Sequence, residues 1–295
     1  MPISDVLEES ITHARSVLLR MLTVNATVAN GNTHSVVEVT GWQNTDALGA
    51  LAMYLVALRT SVIDQAGRIC SELLGDGPDD ATAILQSVDE IVVQPAHSRE
   101  TNTDWKCKWR NPWIAEGLWH CCMWVAMERA ELHTQGTIIA LDFPHISPKD
   151  HGLDVTALYV KRDGSLGMSF VETKAYRDNP NGAISDAVTM LKAIETGEHD
   201  TRLRQMVTSF RAVIEEPYRQ RLSSSLWKNE RTLIPNPHYE ATGATVQWSH
   251  SRRVSFIDLI APVVIMPHCV NGYDAFFDGV ATDMRMKARE VARHV

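Results

Sequence analysis

The stretch that decides the fold runs from residue 152 to residue 176 and reads GLDVTALYVKRDGSLGMSFVETKAY. Asp163 and Gly164 separate two apolar runs within it. An Asp-Gly pair between two such runs is typical of a tight turn that joins antiparallel strands. The stretch therefore predicts a β-hairpin.

Charged residues lie at the ends of both predicted strands. Side chains in a strand alternate between faces, so Glu172 and Lys174 project from one side and Thr173 from the other. Asp154, near the start of the first strand, lies across from the end of the second. Two carboxylates bind a hard divalent cation, and an amine can orient water or offset charge on a phosphate. We therefore expect a catalytic site at one edge of the sheet, with an exposed salt bridge as the simpler interpretation of Glu-x-Lys alone.

The segments around the hairpin predict helices and further strands. Residues 111–132 predict a largely apolar helix, with Asn111 as its N-cap and a proline at its first position. Residues 137–141 and 255–266 have strand composition, and residues 183–194 have the spacing of an amphipathic helix. The apolar face of that helix consists of Ile184, Ala187, Val188, Leu191 and Ile194. We expect an α/β core of order αβββαβ in which helices cover a mixed sheet.

An Asp followed, after a hairpin, by Glu-x-Lys resembles the PD-(D/E)XK nuclease superfamily, over roughly residues 111–266. The literal proline is missing, because a Gly-Leu pair precedes Asp154. The resemblance implies an α/β fold with a PD-(D/E)XK-like nuclease core. It also implies that Asp154 and Glu172 hold Mg²⁺, with Mn²⁺ as a substitute, and that Lys174 serves the water that attacks DNA.

A narrower resemblance rests on residues 152–154, 171–176 and 183–187. Together these segments are similar to the HamA family, the nuclease subunit of Hachiman anti-phage defence. The resemblance implies a DNA nuclease that works with a helicase partner, HamB, which senses aberrant or invading DNA.

Glu116 is a further acid of interest, in the apolar first turn of the predicted helix. A glutamate in apolar surroundings needs a partner. In PD-(D/E)XK enzymes the first core helix often supplies another acid, so the resemblance implies that Glu116 is a third metal ligand and part of the catalytic site. The alternative is a negative charge that stabilises the N-terminus of the helix.

Length and composition allow one large domain or two modest ones, since 44% of the 295 residues are hydrophobic and 22% are charged. The polar run 97–104 divides the chain into residues 1–100, an α+β region that contacts a partner or buttresses the core, and residues 101–295, the nuclease domain. The other predicted elements are strands at 35–39 and 90–93, a helix at 45–74 and a terminal helix at 272–295.

The net charge of -8 opposes binding to DNA, because affinity for nucleic acid comes largely from cations. Tryptophans lie among the basic residues of the segment 105–110, where they could stack on unpaired bases, although packing explains them equally well. Further basic residues follow the core helix: Arg202, Arg204, Arg211, Arg219, Arg221, Lys228 and Arg231. This pattern favours a subunit that a larger partner delivers to DNA.

Other classes of protein are less well supported. No signal peptide or membrane-spanning segment is indicated, so we expect a cytoplasmic protein without membrane contact. Five cysteines without CxxC spacing argue against structural zinc, and the two that follow His120 are expected to be buried core thiols. The chain has no Gly-x-Ser-x-Gly elbow and no P-loop, so any ATP use belongs to a partner. An inactive nuclease-fold binding subunit and a stand-alone restriction-type endonuclease remain as alternatives.

Overall fold

The computed structural model describes residues 3–29, 34–60, 81–142, 152–241, 246–249 and 258–294, which form a mixed α/β structure with two mixed β-sheets. The smaller sheet contains β1 (Thr23–Val28), β2 (Ser35–Thr40) and β7 (Val264–Ile265), in that order. The larger one, the main sheet, contains β3 (Thr137–Leu141), β4 (Val155–Val160), β5 (Leu166–Ala175), β6 (Arg231–Glu240) and β8 (His268–Val270), in that order.

The predicted hairpin forms the centre of the main sheet. β4 pairs antiparallel with β5, from Val160 opposite Leu166 to Val155 opposite Val171. The turn is closed by the Lys161 N–H, which donates to the Ser165 carbonyl at 2.8 Å. Gly164 has a φ of 82° in this turn, a left-handed conformation that side chains with a Cβ rarely adopt. The Asp-Gly signal thus located the hairpin correctly.

Helices cover the sheets. They are α1 (Ile3–Met21), α2 (Thr45–Arg59), α3 (Ala81–Val92), α4 (Asn102–Trp105), α5 (Asn111–Ala126), α6 (Pro180–Thr196), α7 (Asp200–Val213), α8 (Glu216–Arg219), α9 (Leu226–Asn229) and α10 (Tyr273–Ala292). Predicted strands at β2 and β3 and predicted helices at α6 and α10 are confirmed. All five residues of the expected apolar face of α6 are buried.

Hydrophobic cores on both faces hold the main sheet between helices. Val171 and Ile234 share one core with α1, α2, α5 and α10. Phe170 and Leu233, which point to the opposite face, share the other core with α6 and α7. Because α1 and α2 belong to the same core as α5, hydrophobic packing crosses the boundary predicted at residue 100. The division into two regions stays a prediction.

The last strand of the expected αβββαβ core is not the predicted segment 255–266. β6 takes this place, whereas residues 255–257 of the predicted strand 255–266 lie outside the described residues and Val264–Ile265 joins the smaller sheet. Pro235 and Pro237 conceal β6 in the sequence because proline cannot donate a ladder hydrogen bond. The Leu233 N–H donates to the Pro262 carbonyl, on the side away from β5, and by alternation the nitrogens of both prolines face that side too. Pairing with β5 is therefore undisturbed.

Two further expectations were wrong in local structure. The strand predicted at 90–93 is the end of α3, whose buried Ile84, Val88 and Ile91 follow helical spacing. The helix predicted at 45–74 is α2 as far as Arg59, and residues 61–74 lie outside the described part of the chain.

Asn111 is also not an N-cap, because its φ of -65° and ψ of -43° are helical. The helical path begins at α4, capped by Thr101, whose side chain accepts from the Asp104 N–H at 3.1 Å. A π-helical turn, Lys106–Arg110, links α4 to α5 and precedes Pro112. Such a turn accommodates a proline, which lacks an N–H and crowds the preceding turn.

Candidate active site at the end of the main sheet

The structure brings the predicted acids together where β4 begins and β5 ends. Val155 pairs with Val171, so Asp154 lies across from Glu172. The main-chain N–H of Thr173 donates to Asp154 Oδ2 at 2.6 Å and fixes this carboxylate beside β5. Asp154 is 5% exposed and Glu172 is 1% exposed. Burial of two carboxylates at neighbouring positions is costly unless cations or hydrogen bonds offset it.

Lys174 provides one such cation. Its Nζ donates to Glu172 Oε1 at 2.7 Å, as expected from strand alternation. The Lys174 side chain is 29% exposed whereas that of Glu172 is 2% exposed, so the lysine reaches the surface from a buried partner. The ion pair therefore forms the outer boundary of the acid cluster.

The pKa values of Asp154 and Lys174 are both raised in this buried site, where negative charge is concentrated. Burial raises the pKa of Asp154 well above its usual value, and the charges of Glu172 and Glu116 raise it further, outweighing Lys174 and the Thr173 N–H. Burial alone would lower the pKa of Lys174, but the carboxylates of Glu172 and Asp154 outweigh burial and raise it. Asp154 and Glu172 thus both act on the Lys174 ammonium, while Glu116 adds negative charge near Asp154. A hard cation with oxygen ligands would relieve this excess of negative charge.

Glu116 lies in α5 and is half-buried. Because the helical path begins at residue 102, the glutamate is not in a first turn, and the N-terminal charge interpretation loses its basis. Its charge acts on Asp154, which places the two acids near each other. Across the described ranges, however, no three His, Cys, Asp or Glu side chains stand in positions to ligate one metal ion together. The hard oxygen donors of Asp154 and Glu172 fit Mg²⁺ chemically, and a third ligand from Glu116 stays a prediction.

Two features near the acids were not found from the sequence. Tyr176 directly follows the end of β5, is 37% exposed, and donates its hydroxyl hydrogen to Asp186 Oδ2 at 2.6 Å. Arg202 lies against Gly152, since a Cβ built on that glycine would stand 1.6 Å from Arg202 Nη1. A side chain at residue 152 would therefore have to displace the guanidinium, the flexible end of Arg202.

A buried pair of histidines lies behind the site, on the α5 side of the sheet. The Trp119 indole N–H donates to His238 Nε2, and His238 Nδ1 is 3.0 Å from His268 Nδ1. Since an indole only donates, His238 carries its proton on Nδ1 and donates it to His268, whose own proton is on Nε2. Burial lowers the pKa of His268 to about 3 and lowers that of His238 as well. Both rings are therefore neutral.

The residues around His120 are structural, as expected. His120 Nδ1 is 2.6 Å from the Tyr54 hydroxyl, and its Nε2 is 2.9 Å from the Asp142 carbonyl. Burial lowers the pKa of His120 to about 4. Cys121 and Cys122 are fully buried, and burial raises the pKa of both thiols. The prediction of core thiols is confirmed for this pair.

The basic and aromatic segment 105–110 is occupied by internal contacts. Lys106 and Arg110 both bind Asp278, at 2.8 and 2.6 Å. Lys108 Nζ and Trp109 Nε1 donate to the two carboxylate oxygens of Glu100, at 3.0 and 2.7 Å. These contacts favour the packing interpretation of the segment over stacking on bases.

The fold and the site together define a mixed α/β protein with a buried carboxylate and lysine cluster at the end of its main sheet. Comparison with the models of known protein families gave no match, and no similar protein was found among curated ones. Within the described residues, no helix is both long enough and apolar enough to cross a membrane.

Proposed function

We propose that this protein is a metal-dependent DNA nuclease of PD-(D/E)XK type, similar to HamA and working with a helicase partner. The observation that carries the proposal is the arrangement of three groups: Asp154 fixed by the Thr173 N–H, with Glu172 and its partner Lys174 beside it. Buried acids with strongly perturbed pKa values beside a specific charge partner are typical of functional sites.

The order of the elements supports the proposal. α5, β3, β4, β5, α6 and β6 come in this order along the chain, with a 3-10 turn, Ala130–Leu132, between α5 and β3 and with the helices α7, α8 and α9 between α6 and β6. The three strands pair antiparallel, and β6 adds parallel to β5. This order, with helices on both faces of the sheet and the acids at one end, supports the proposal of a PD-(D/E)XK-like core, for which the αβββαβ order is expected.

The residues divide the chemistry as follows. Asp154 and Glu172, with Glu116 as a further candidate, would hold Mg²⁺ or Mn²⁺. The metal, when bound, polarises a phosphate and lowers the pKa of its water. Lys174, kept protonated by the two acids, carries a positive charge to the surface, where it can stabilise charge on the attacked phosphate or orient the water. The Thr173 N–H holds Asp154 in place throughout.

The charge of the chain is the basis for proposing a partner protein. The chain has a net charge of -8, and the segment 105–110 is paired with acids inside the protein. Cations near the acid cluster, such as Arg202 and Lys174, can bind phosphates close to the cut. Because the net charge opposes DNA, we propose that an ATP-driven, HamB-like helicase delivers the nuclease to it.

The test is cleavage of plasmid, linear duplex and single-stranded DNA with Mg²⁺, by the chain with and without the helicase encoded beside it. We expect Glu172→Ala and Lys174→Ala to abolish cleavage. Lys161→Ala is the matched control, because it removes a lysine from the other end of the same hairpin, where its partner is Glu230. If well-folded Glu172→Ala and Lys174→Ala proteins cut DNA as fast as the Lys161→Ala protein, these residues are not catalytic. A chain that folds and binds DNA but never cuts it would favour the inactive binding subunit.

A further inference from the structure

Two polar side chains are buried directly behind the acid cluster. Asn236 in β6 is fully buried, and within the described residues neither its amide oxygen nor its amide nitrogen has a hydrogen-bond partner. Thr173 in β5 is 6% exposed, and its hydroxyl also has none there. A flip of the Asn236 amide, which exchanges its oxygen and nitrogen, would not supply a partner, because both atoms lack one among the described residues.

These two side chains face each other across neighbouring strands. Thr173 and Asn236 are register partners in the parallel pair of β5 and β6, so both project from the same face of the sheet. Ile234 and His238 flank Asn236 on that face, one packed in the core with α5 and the other bonded to Trp119. The face is therefore the one covered by α5.

Buried polar groups without partners are rare in native proteins, and an ordered water is one way in which such groups are satisfied. A water molecule needs two to four polar contacts, and this pair offers three: a hydroxyl, an amide oxygen and an amide nitrogen. The combination of acceptors with a donor suits water better than a cation, which an amide nitrogen would repel.

We infer that Thr173 and Asn236 bind one buried, ordered water and that this water positions the catalytic segment of β5. Thr173 joins every part of that segment. Its main-chain N–H holds Asp154, and its two neighbours in the chain are Glu172 and Lys174. A water that holds the Thr173 side chain against β6 also holds the Thr173 main chain, and with it the positions of Asp154, Glu172 and Lys174. Thr173 and Asn236 are thus positioning residues, and this role rests on the proposed nuclease function.

The water itself is tested without any activity. A crystal structure of the metal-free protein at about 1.5 Å should contain density for a water within hydrogen-bond distance of Thr173 Oγ1 and of the Asn236 amide. Absence of that density overturns the inference, whatever the cleavage experiments give.

The positioning role is tested by rescue. We expect Thr173→Val to lower kcat about tenfold with an unchanged KM for DNA, and Thr173→Ser, which keeps the hydroxyl, to stay within about twofold of wild type. Thr232→Val is the control: it removes a buried hydroxyl at the other end of β6, where the partner is Tyr159 at 3.0 Å. If the wild type cleaves DNA and the valine and serine variants cleave it at equal rates, the positioning role is overturned and the nuclease proposal stands.

Sharing of one water also predicts non-additive effects. If Asn236→Leu folds, it should lower kcat about tenfold, and its combination with Thr173→Val should lower kcat about tenfold rather than a hundredfold. A hundredfold loss in the double variant would mean that the two side chains act separately, which contradicts a shared water.

Discussion

Acid should unfold this protein at a pH well above the range in which exposed carboxylates titrate. His120 and His268 have pKa values of about 4 and about 3, against 6.5 for an ordinary histidine, because burial disfavours the charged ring. The unfolded chain therefore binds more protons than the folded one between pH 6.5 and those values. Stability is fully present above pH 6.5 and falls as the pH is lowered through this window.

The expected loss of stability follows from the difference between the experimental pH and the pKa of histidine in the unfolded chain. At pH 5 each histidine lies 1.5 pH units below 6.5 and still above its folded pKa, which at 1.36 kcal/mol per unit corresponds to about 2 kcal/mol. Together they should cost about 4 kcal/mol between pH 8 and pH 5, and the lowered pKa values of His133 and His238 act in the same direction. Such a loss is a large fraction of the stability of an ordinary domain.

The assay is urea unfolding followed by circular dichroism at pH 8, 6.5 and 5. Asp154 must be replaced by asparagine in the protein studied, because its raised pKa makes it stabilise the fold as the pH falls and would mask part of the effect. In the Asp154→Asn background, the free energy of unfolding of His120→Gln should fall by about 2 kcal/mol less between pH 8 and pH 5 than that of its parent. An unfolding free energy that is the same at pH 8 and pH 5 would refute the buried, neutral histidines.

Four other outcomes are expected. Mg²⁺ or Mn²⁺ should support cleavage, Ca²⁺ should bind without supporting it, and EDTA should stop it, whereas full activity in EDTA would contradict the metal mechanism. Glu116→Gln should weaken metal binding in calorimetry, and an unchanged affinity would remove this residue from the ligands. Gly152→Ala should displace Arg202 and weaken DNA binding several-fold at physiological salt, with Gly49→Ala, where a Cβ meets no atom within 4 Å, as the control. The chain alone should cut DNA poorly at physiological salt, and equal rates with and without the helicase would contradict delivery by a partner.

Local signals explain which parts of the fold were predictable. The Asp-Gly turn, the alternation around Glu172 and the spacing of apolar residues in α6 each depend on a few neighbouring residues, and the structure agrees with all three. β6 was missed because two prolines suit a strand only when their nitrogens face away from the main partner, which depends on residues distant in sequence. The start of α4 was missed because a π-helical turn let the helix continue through Pro112.

In the candidate site, too, the features that depend on neighbouring residues were predictable and those that depend on distant contacts were not. Three of its groups lie within one hairpin, so strand geometry was enough to bring Asp154, Glu172 and Lys174 together. The histidine pair depends on contacts between β6, β8 and α5, and the approach of Arg202 to Gly152 depends on the placement of α7. No local pattern indicates such contacts, because they arise only when whole elements pack against one another.

The energetics of the acid cluster argue for a functional rather than a structural role. Asp154 is buried with a carboxylate opposite and another nearby, and its raised pKa means that the folded state opposes its charge. A residue kept for stability would not be opposed in this way, since replacing buried charge by neutral groups is often stabilising. Asparagine could still accept the Thr173 N–H, so Asp154→Asn should raise the thermal midpoint of the metal-free protein while removing cleavage. Added Mg²⁺ should raise the midpoint of the wild type and not that of the variant, because a ligand that binds only the folded state stabilises it. A wild-type midpoint that is higher than that of Asp154→Asn without metal would mean that the carboxylate is retained for the fold.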